Sequence, residues 1–201
     1  MTENASVAEE QGLTETRARI LTAAERLFGE QGYAGTSIGD ISESAGVNRA
    51  LIYYYFKDKR DLYRSVIQAG LDALRRILED LAASAGSARE RLSTFAKRSY
   101  RLFSLRRPMV RIIYREVMGL EEKIDLPIGD YVLDNFAKLE SIIRDGIRLG
   151  EFREVDPRLA ARSLLGMLNI FILEPFISGK PFPAERVVNH TVDLFCRGVA
   201  R

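Results

Sequence analysis

The side chains best equipped for chemistry in this 201-residue chain are not those of a bond-making enzyme. There is one histidine, His190, and one cysteine, Cys196. Neither alone makes a zinc site, an internal disulfide or a nucleophile–base pair, and no Gly-rich phosphate loop or Ser/His/Asp set accompanies them. No enzyme activity, cofactor or metal is expected. The densest functional run is instead Asn48, Arg49, Tyr53, Tyr54, Tyr55 and Lys59. Cations interleaved with phenols suit the recognition of phosphates and base edges.

Charge is distributed in the same sense. The net charge is only +2, yet residues 46–64 carry five bases against two acids, and residues 75–115 carry eleven against three. The second stretch reads first as a solvated face; an anionic effector such as an acyl-CoA or a carboxylate, or steering toward DNA, is the alternative. Residues 1–12 hold Glu3, Glu9 and Glu10 with no base and read as a flexible acidic tail. With 46% hydrophobic and 29% charged residues the chain can bury a sizeable core. No signal-like N-terminus precedes it. Its most apolar stretch, Leu164 to Leu173, is about half a membrane span. A cytoplasmic protein without membrane contact is the expectation.

The elements that must position those side chains are all helical. Ile20, Ala24, Leu27 and Phe28 share one face of a helix that stops near Gly32. Thr36 or Ser37 caps a short helix with Ile38, Ile41 and Ala45 inward, Gly46 breaks it, and Asn48 caps a third with Ile52 and Phe56 inward. Longer helices are expected from Lys59 to about Ala83 and from Arg89 to Leu105, and Pro108 opens one that ends near Gly119. After a loop through Asp125, others run from Ile128 to Leu149, from Asp156-Pro157 to Ser178-Gly179, and from Ala184 to Val199. This pattern predicts an all-α protein of about nine helices. It divides into a helix-turn-helix domain over residues 13–60 and a larger helical domain over 61–201.

Two short helices joined by Ala45-Gly46-Val47 form a helix-turn-helix, locked by Ile38, Ile41, Val47 and Ile52 and presenting Arg49, Tyr54 and Tyr55 outward. Alone that is a weak signal. The wider run carries Ile20, Ala24, Leu27, Phe28, Gly32, Thr36, Ile41, Ala45, Gly46, Val47, Tyr53, Phe56, Lys59 and Leu62 in register. It resembles the DNA-binding domain of TetR-family transcriptional regulators. The resemblance implies a recognition helix from Asn48 to Tyr55, with Tyr53 and Lys59 matching the family's backbone-binding tyrosine and lysine. Thr36 and Ser37, at a helix N-terminus, are placed for a phosphate. Arg49, Ala50, Leu51, Tyr54 and Tyr55 fall at variable positions and are candidates for base readout. Asn48 replaces the usual Ser, Ala50 a common Gly and Tyr55 a common His. Gly39 stands where the second helix often carries a DNA-contacting side chain.

The resemblance further implies a repressor that binds a palindromic operator as a homodimer and leaves it on binding a small molecule, hydrophobic or anionic. An activator, or a regulator without such a ligand, is the alternative. A ligand pocket is expected among Tyr100, Phe103, Tyr114, Met118, Phe136, Met167 and Phe171, the large adaptable side chains of the second domain. The helix from Arg158 to Ile177 has no polar stripe and should be buried all round. One face would then meet a partner copy through Leu164, Leu165, Leu168 and Ile172, with Val188, Val192 and Phe195 of the last helix. A plain central core helix is the other reading. His190 reads as a surface or interface side chain and Cys196 as a small buried hydrophobe.

Overall fold

The computed structural model describes residues 2–119, 128–180 and 182–199, with side chains from residue 12 onward and, after the first gap, from residue 133. Among the described residues there are nine helices and no strand: α1 (Thr2–Gly35), α2 (Ile38–Ala45), α3 (Arg49–Tyr55), α4 (Lys59–Ala82), α5 (Ala88–Leu105), α6 (Arg107–Val117), α7 (Ile128–Arg148), α8 (Pro157–Ile177) and α9 (Ala184–Val199). The expected loop through Asp125 lies outside the described residues, as do the side chains of Glu3, Glu9 and Glu10. The backbone of the acidic segment is helical from Thr2, not loose. Proline is absent there, so nothing in the segment forces the helix to start later. At Gly32 the helix is broken by a φ of +78°, a conformation glycine adopts without steric cost.

Two compact units result, and they do not divide at residue 60. The first comprises residues 1–70 and 106–126, the second residues 71–105 and 127–201; α4 begins in one and ends in the other. Ile20, Ala24, Leu27, Phe28, Ile41, Ile52, Phe56 and Leu62 form the buried core of the first. Tyr63 sets its ring edge-on to Phe28 at 4.9 Å and donates its hydroxyl to Glu116 at 2.7 Å. Long-range contacts bring α6 here: Gly29 lies so close to Pro108 that a methyl at Gly29 would sit 2.5 Å from its Cβ. Arg106 pairs with Glu25, and Arg115 donates to the Phe28 carbonyl at 3.0 Å.

In the second unit α5 runs antiparallel to α7 and to α9. Arg91 meets Asp145 at 3.2 Å and the Ala88 N–H reaches Glu151 at 3.1 Å, while Arg89 faces Asp193 and Tyr100 donates to the Phe182 carbonyl at 3.1 Å. The Asp145 carboxyl is held below its ordinary value by the hydrogen bond from Arg148 and then by Arg91. Asp156 caps α8 by accepting the N–H groups of Arg158 and Leu159, with Pro157 at the first helical position. Cys196 is buried on α9, where burial pushes its thiol up, as expected of an inert small hydrophobe.

Candidate nucleic-acid interface

In the first unit a set of polar side chains fixes the start, the turn and the end of the α2–α3 pair. Ser37 caps α2: its hydroxyl accepts the Asp40 N–H at 3.1 Å and its own N–H donates to the Asp40 carboxylate at 2.9 Å. Asp40 is held below the usual carboxylate value chiefly by the Ser37 hydroxyl, then by the Ser37 N–H, with the Arg49 charge adding to both. Gly46 closes α2 in the left-handed region at φ +63° and turns the chain toward α3. Asn48 caps α3 by accepting the Leu51 N–H at 2.8 Å.

Two braces fall outside the helical pattern of the sequence. The Arg19 guanidinium donates to the carbonyls of Ala45 at 2.8 Å and Gly46 at 3.1 Å, tying the turn to α1. Tyr55 donates its hydroxyl to the Leu13 carbonyl at 3.0 Å, tying the end of α3 to the same helix. Arg17 adds its guanidinium 5.3 Å from the Phe56 ring. Arg17 and Arg19 lie outside the periodic apolar face by which the helix is recognised, and nothing local in the sequence pairs Arg19 with the turn or Arg17 with Phe56. Arg19→Ala should lower the stability of this unit by about 1 kcal/mol, the worth of a typical hydrogen bond. A denaturant midpoint shared with the wild type would show that the turn holds itself.

The outward face of α3 is Arg49, Ala50, Tyr53 and Tyr54, at spacing i, i+1, i+4 and i+5. Tyr53 and Tyr54 keep 54% and 70% of their surface in water, unusual for aromatic side chains with no core role. Lys57 and Arg60 are exposed just beyond, and Lys59 holds its ammonium 4.3 Å from the Tyr33 ring. Three expected contacts are placed differently. Thr36 is buried and its hydroxyl donates to the Gly32 carbonyl at 2.8 Å, closing the break in α1 and not facing a phosphate. Tyr55 is half-buried with its hydroxyl committed to Leu13. Leu51 is half-buried at the margin of the face, because it sits about 100° from the fully buried Ile52 on the side away from Arg49's neighbour Tyr53.

The seven expected pocket residues are not gathered at one described site. Tyr114 and Met118 belong to the first unit, and Met118 is exposed; burial pushes the Tyr114 phenol up. In the second unit Phe136 lies under the Arg162 guanidinium at 4.8 Å and Phe103 is half-exposed. Phe171 meets Phe182 edge-on at 5.7 Å, and Phe182 also accepts from Tyr100 through its carbonyl. His190 is exposed, its ring 6.5 Å from Phe171. Met167 lines an open groove of about 290 Å³ between α8 and α9, with Val155, Leu159, Leu194, Phe195 and Val199.

The expected interface residues need a similar correction. Leu164, Leu168, Ile172, Val188, Val192 and Phe195 are buried within the chain's own second unit, and Leu165 is half-buried. At i, i+4 and i+8, Leu164, Leu168 and Ile172 form the stripe of α8 that packs on its neighbours α7 and α9. The outer stripe is Leu159, Ser163, Gly166, Ile170 and Ile177, and only 17% of the most apolar window of α8 is buried. That helix is also long and apolar enough to cross a membrane, by length and composition.

Residues 20–66 match the bacterial regulatory proteins of the tetR family, and residues 85–199 match the tetracyclin repressor-like C-terminal domain. The fatty acid metabolism regulator protein of Bacillus subtilis is 24% identical over 183 residues, 90% of this chain and 94% of that protein. The HTH-type transcriptional repressor KstR2 of Mycolicibacterium smegmatis is 25% identical over 190 residues, 92% of this chain and 91% of that one. Among solved structures, the transcriptional regulator PfmR from Thermus thermophilus superposes with a TM-score of 0.74 at 32% identity, covering 91% of this chain and 100% of that one.

Proposed function

The chain belongs to the TetR family of bacterial regulatory proteins, and on that premise we propose that it is a repressor that grips a palindromic operator as a homodimer and lets go when a small molecule enters its second unit. The observation that carries the reading is the outward face of α3. Arg49, Ala50, Tyr53 and Tyr54 are held clear of the core by two capped helix starts, the Arg19 clamp and the Tyr55 brace. A recognition helix placed in the major groove needs such a rigid, solvent-facing edge. Lys57, Lys59 and Arg60 follow it with the positive charge that phosphates require. Lys59→Ala should weaken binding to all sequences alike and flatten the slope of log affinity against log salt by about one unit. A loss confined to one operator would make Lys59 a reader of bases.

Dimerisation is assigned to the outer stripe of α8. Leu159, Ile170 and Ile177 are exposed, Gly166 leaves open space beside them, and Leu194 of α9 continues the apolar surface. A helix this apolar and this little covered is best satisfied by a second copy.

The effector is assigned to the interior of the second unit. Ser99 on α5, Asn135 on α7 and Thr191 on α9 are buried, and their Oγ, Oδ1 and Oγ1 atoms have no hydrogen-bond partner among the described residues. Each such atom costs about 1–3 kcal/mol. Oxygens left unsatisfied in an interior that also holds the buried Arg91, whose Nε likewise has no partner among the described residues, suit a mostly apolar ligand with a few polar or anionic atoms. A fatty acid or its coenzyme A thioester fits that description, and the Bacillus subtilis relative is named for fatty acid metabolism. Operator binding measured with and without palmitoyl-CoA, palmitate and coenzyme A alone tests this. Palmitoyl-CoA at a hundred times its Kd should stabilise the protein by about 2.7 kcal/mol and release the operator. Tight binding that leaves operator affinity unchanged would remove the switch from the account.

A further inference from the structure

Arg49 does not simply project from α3. Its guanidinium lies across α2 at Gly39, where a methyl group would stand 2.6 Å from Nη2, 3.2 Å from Cζ and 3.4 Å from Nε. Nothing in the backbone asks for glycine at that position. Gly39 is the second residue of α2 and is not among the glycines with positive φ, and glycine weakens a helix interior relative to alanine. What glycine provides is room. Beside it the Asp40 carboxylate is fixed by the Ser37 N–H and hydroxyl, at 2.9 and 2.6 Å, and the Arg49 charge adds a smaller stabilisation of its ionised form. Arg49 thus has one surface against α2 at Gly39 and the Asp40 charge within electrostatic reach, while the residue as a whole stays exposed.

We propose that Gly39 is a specificity-determining position of this regulator: the notch it leaves in α2 seats the Arg49 guanidinium in one orientation, so the base that Arg49 reads is selected by both helices and not by α3 alone. The proposal rests on the reading of α3 as the DNA-recognition element. A long cation with several rotatable bonds discriminates poorly when it must be ordered on arrival, and a seated one has lost most of that freedom beforehand. Two hydrogen bonds from a planar fork to one base also require an orientation, not merely a charge. Gly39 makes no contact with DNA in this scheme and acts through Arg49.

The substitution that tests it is gentle. Gly39→Ala raises helix propensity and collides only with the movable end of a side chain, so the unit should fold as well as the wild type. Affinities are compared for the best operator, its single-base variants and an unrelated duplex, using the wild type, Gly39→Ala, Arg49→Ala and the double variant. Arg49→Ala should abolish discrimination at one base pair per half-site. Gly39→Ala should cut discrimination at that same base pair by about fivefold or more, the lower end of what a bidentate contact contributes, and leave the unrelated duplex unaffected. In the Arg49→Ala background, Gly39→Ala should change nothing further. An equal loss on every duplex, persisting without Arg49, would overturn the proposal and make Gly39 a point of close approach to a phosphate. Full discrimination by Gly39→Ala would overturn it as well. A wild-type protein that shows no base preference would instead remove the underlying assignment of α3.

Discussion

Leu168→Glu is expected to unfold the second unit, whereas Ile170→Glu, two residues further along the same helix, should leave it folded and disrupt only its self-association. Leu168 is 2% exposed and Ile170 is 50% exposed. Replacing the first loses the burial of a leucine, about 2–3 kcal/mol, and forces a carboxylate into an apolar stripe shared with Leu164 and Ile172, at a cost of several kcal/mol more. Together these approach the total stability of an ordinary domain, about 5–15 kcal/mol. The second substitution puts a charge where water already reaches it. Circular dichroism melts and sedimentation equilibrium separate the two outcomes: loss of helix for Leu168→Glu, and a helical monomer for Ile170→Glu. A well-folded Leu168→Glu monomer would show that Leu168 faces a partner copy.

Phe28→Ala should have the largest effect in the first unit, about 3–5 kcal/mol. The ring is fully buried, packs edge-on against Tyr63 and stacks with Tyr33 at 6.0 Å. Tyr63 in turn carries the hydrogen bond to Glu116 on α6, and the Phe28 carbonyl accepts from Arg115. Emptying the ring's site therefore loosens α1, α4 and α6 at one point. DNA binding should be lost at temperatures where ligand binding by the second unit persists. Operator affinity retained at 37 °C would mean that neighbouring side chains collapse into the gap.

The helices themselves were legible because their signals are local. The apolar spacing of Ile20, Ala24, Leu27 and Phe28, the stop at Gly46 and the Asp156-Pro157 start all lie within a turn or two of what they determine. The same holds for Arg49 and Tyr54 on α3, which burial of Ile52 turns outward, whereas Tyr55, expected beside them, is half-buried and bonded to Leu13. What was not legible depends on contacts distant in sequence. The membership of α6 in the first unit rests on Pro108 meeting Gly29, and the Tyr55 brace depends on a carbonyl 42 residues away. In α8 the reason is different. A helix apolar on most sides has a weak period, and only Ser163, Gly166 and Asn169 mark its outward side; Leu164 and Leu168 are internal, and Leu159 and Ile170 external. Thr36 illustrates a smaller hazard: a hydroxyl at a helix start can be spent on the preceding break as readily as on a ligand.

Selection of duplexes from a random library by the purified protein, followed by binding of the winner across a range of salt, addresses the claim on which the rest depends. The account predicts enrichment of an inverted repeat whose half-sites are spaced by about one helical turn, roughly 34–36 Å, or a small distortion of it. Affinity should fall steeply with salt, by a slope of about −0.9 for each phosphate neutralised, and Arg49→Ala should erase the preference at one position of each half-site while the repeat still binds. Failure to enrich any sequence, or binding indifferent to salt, would contradict the assignment of α3 as a DNA-reading helix.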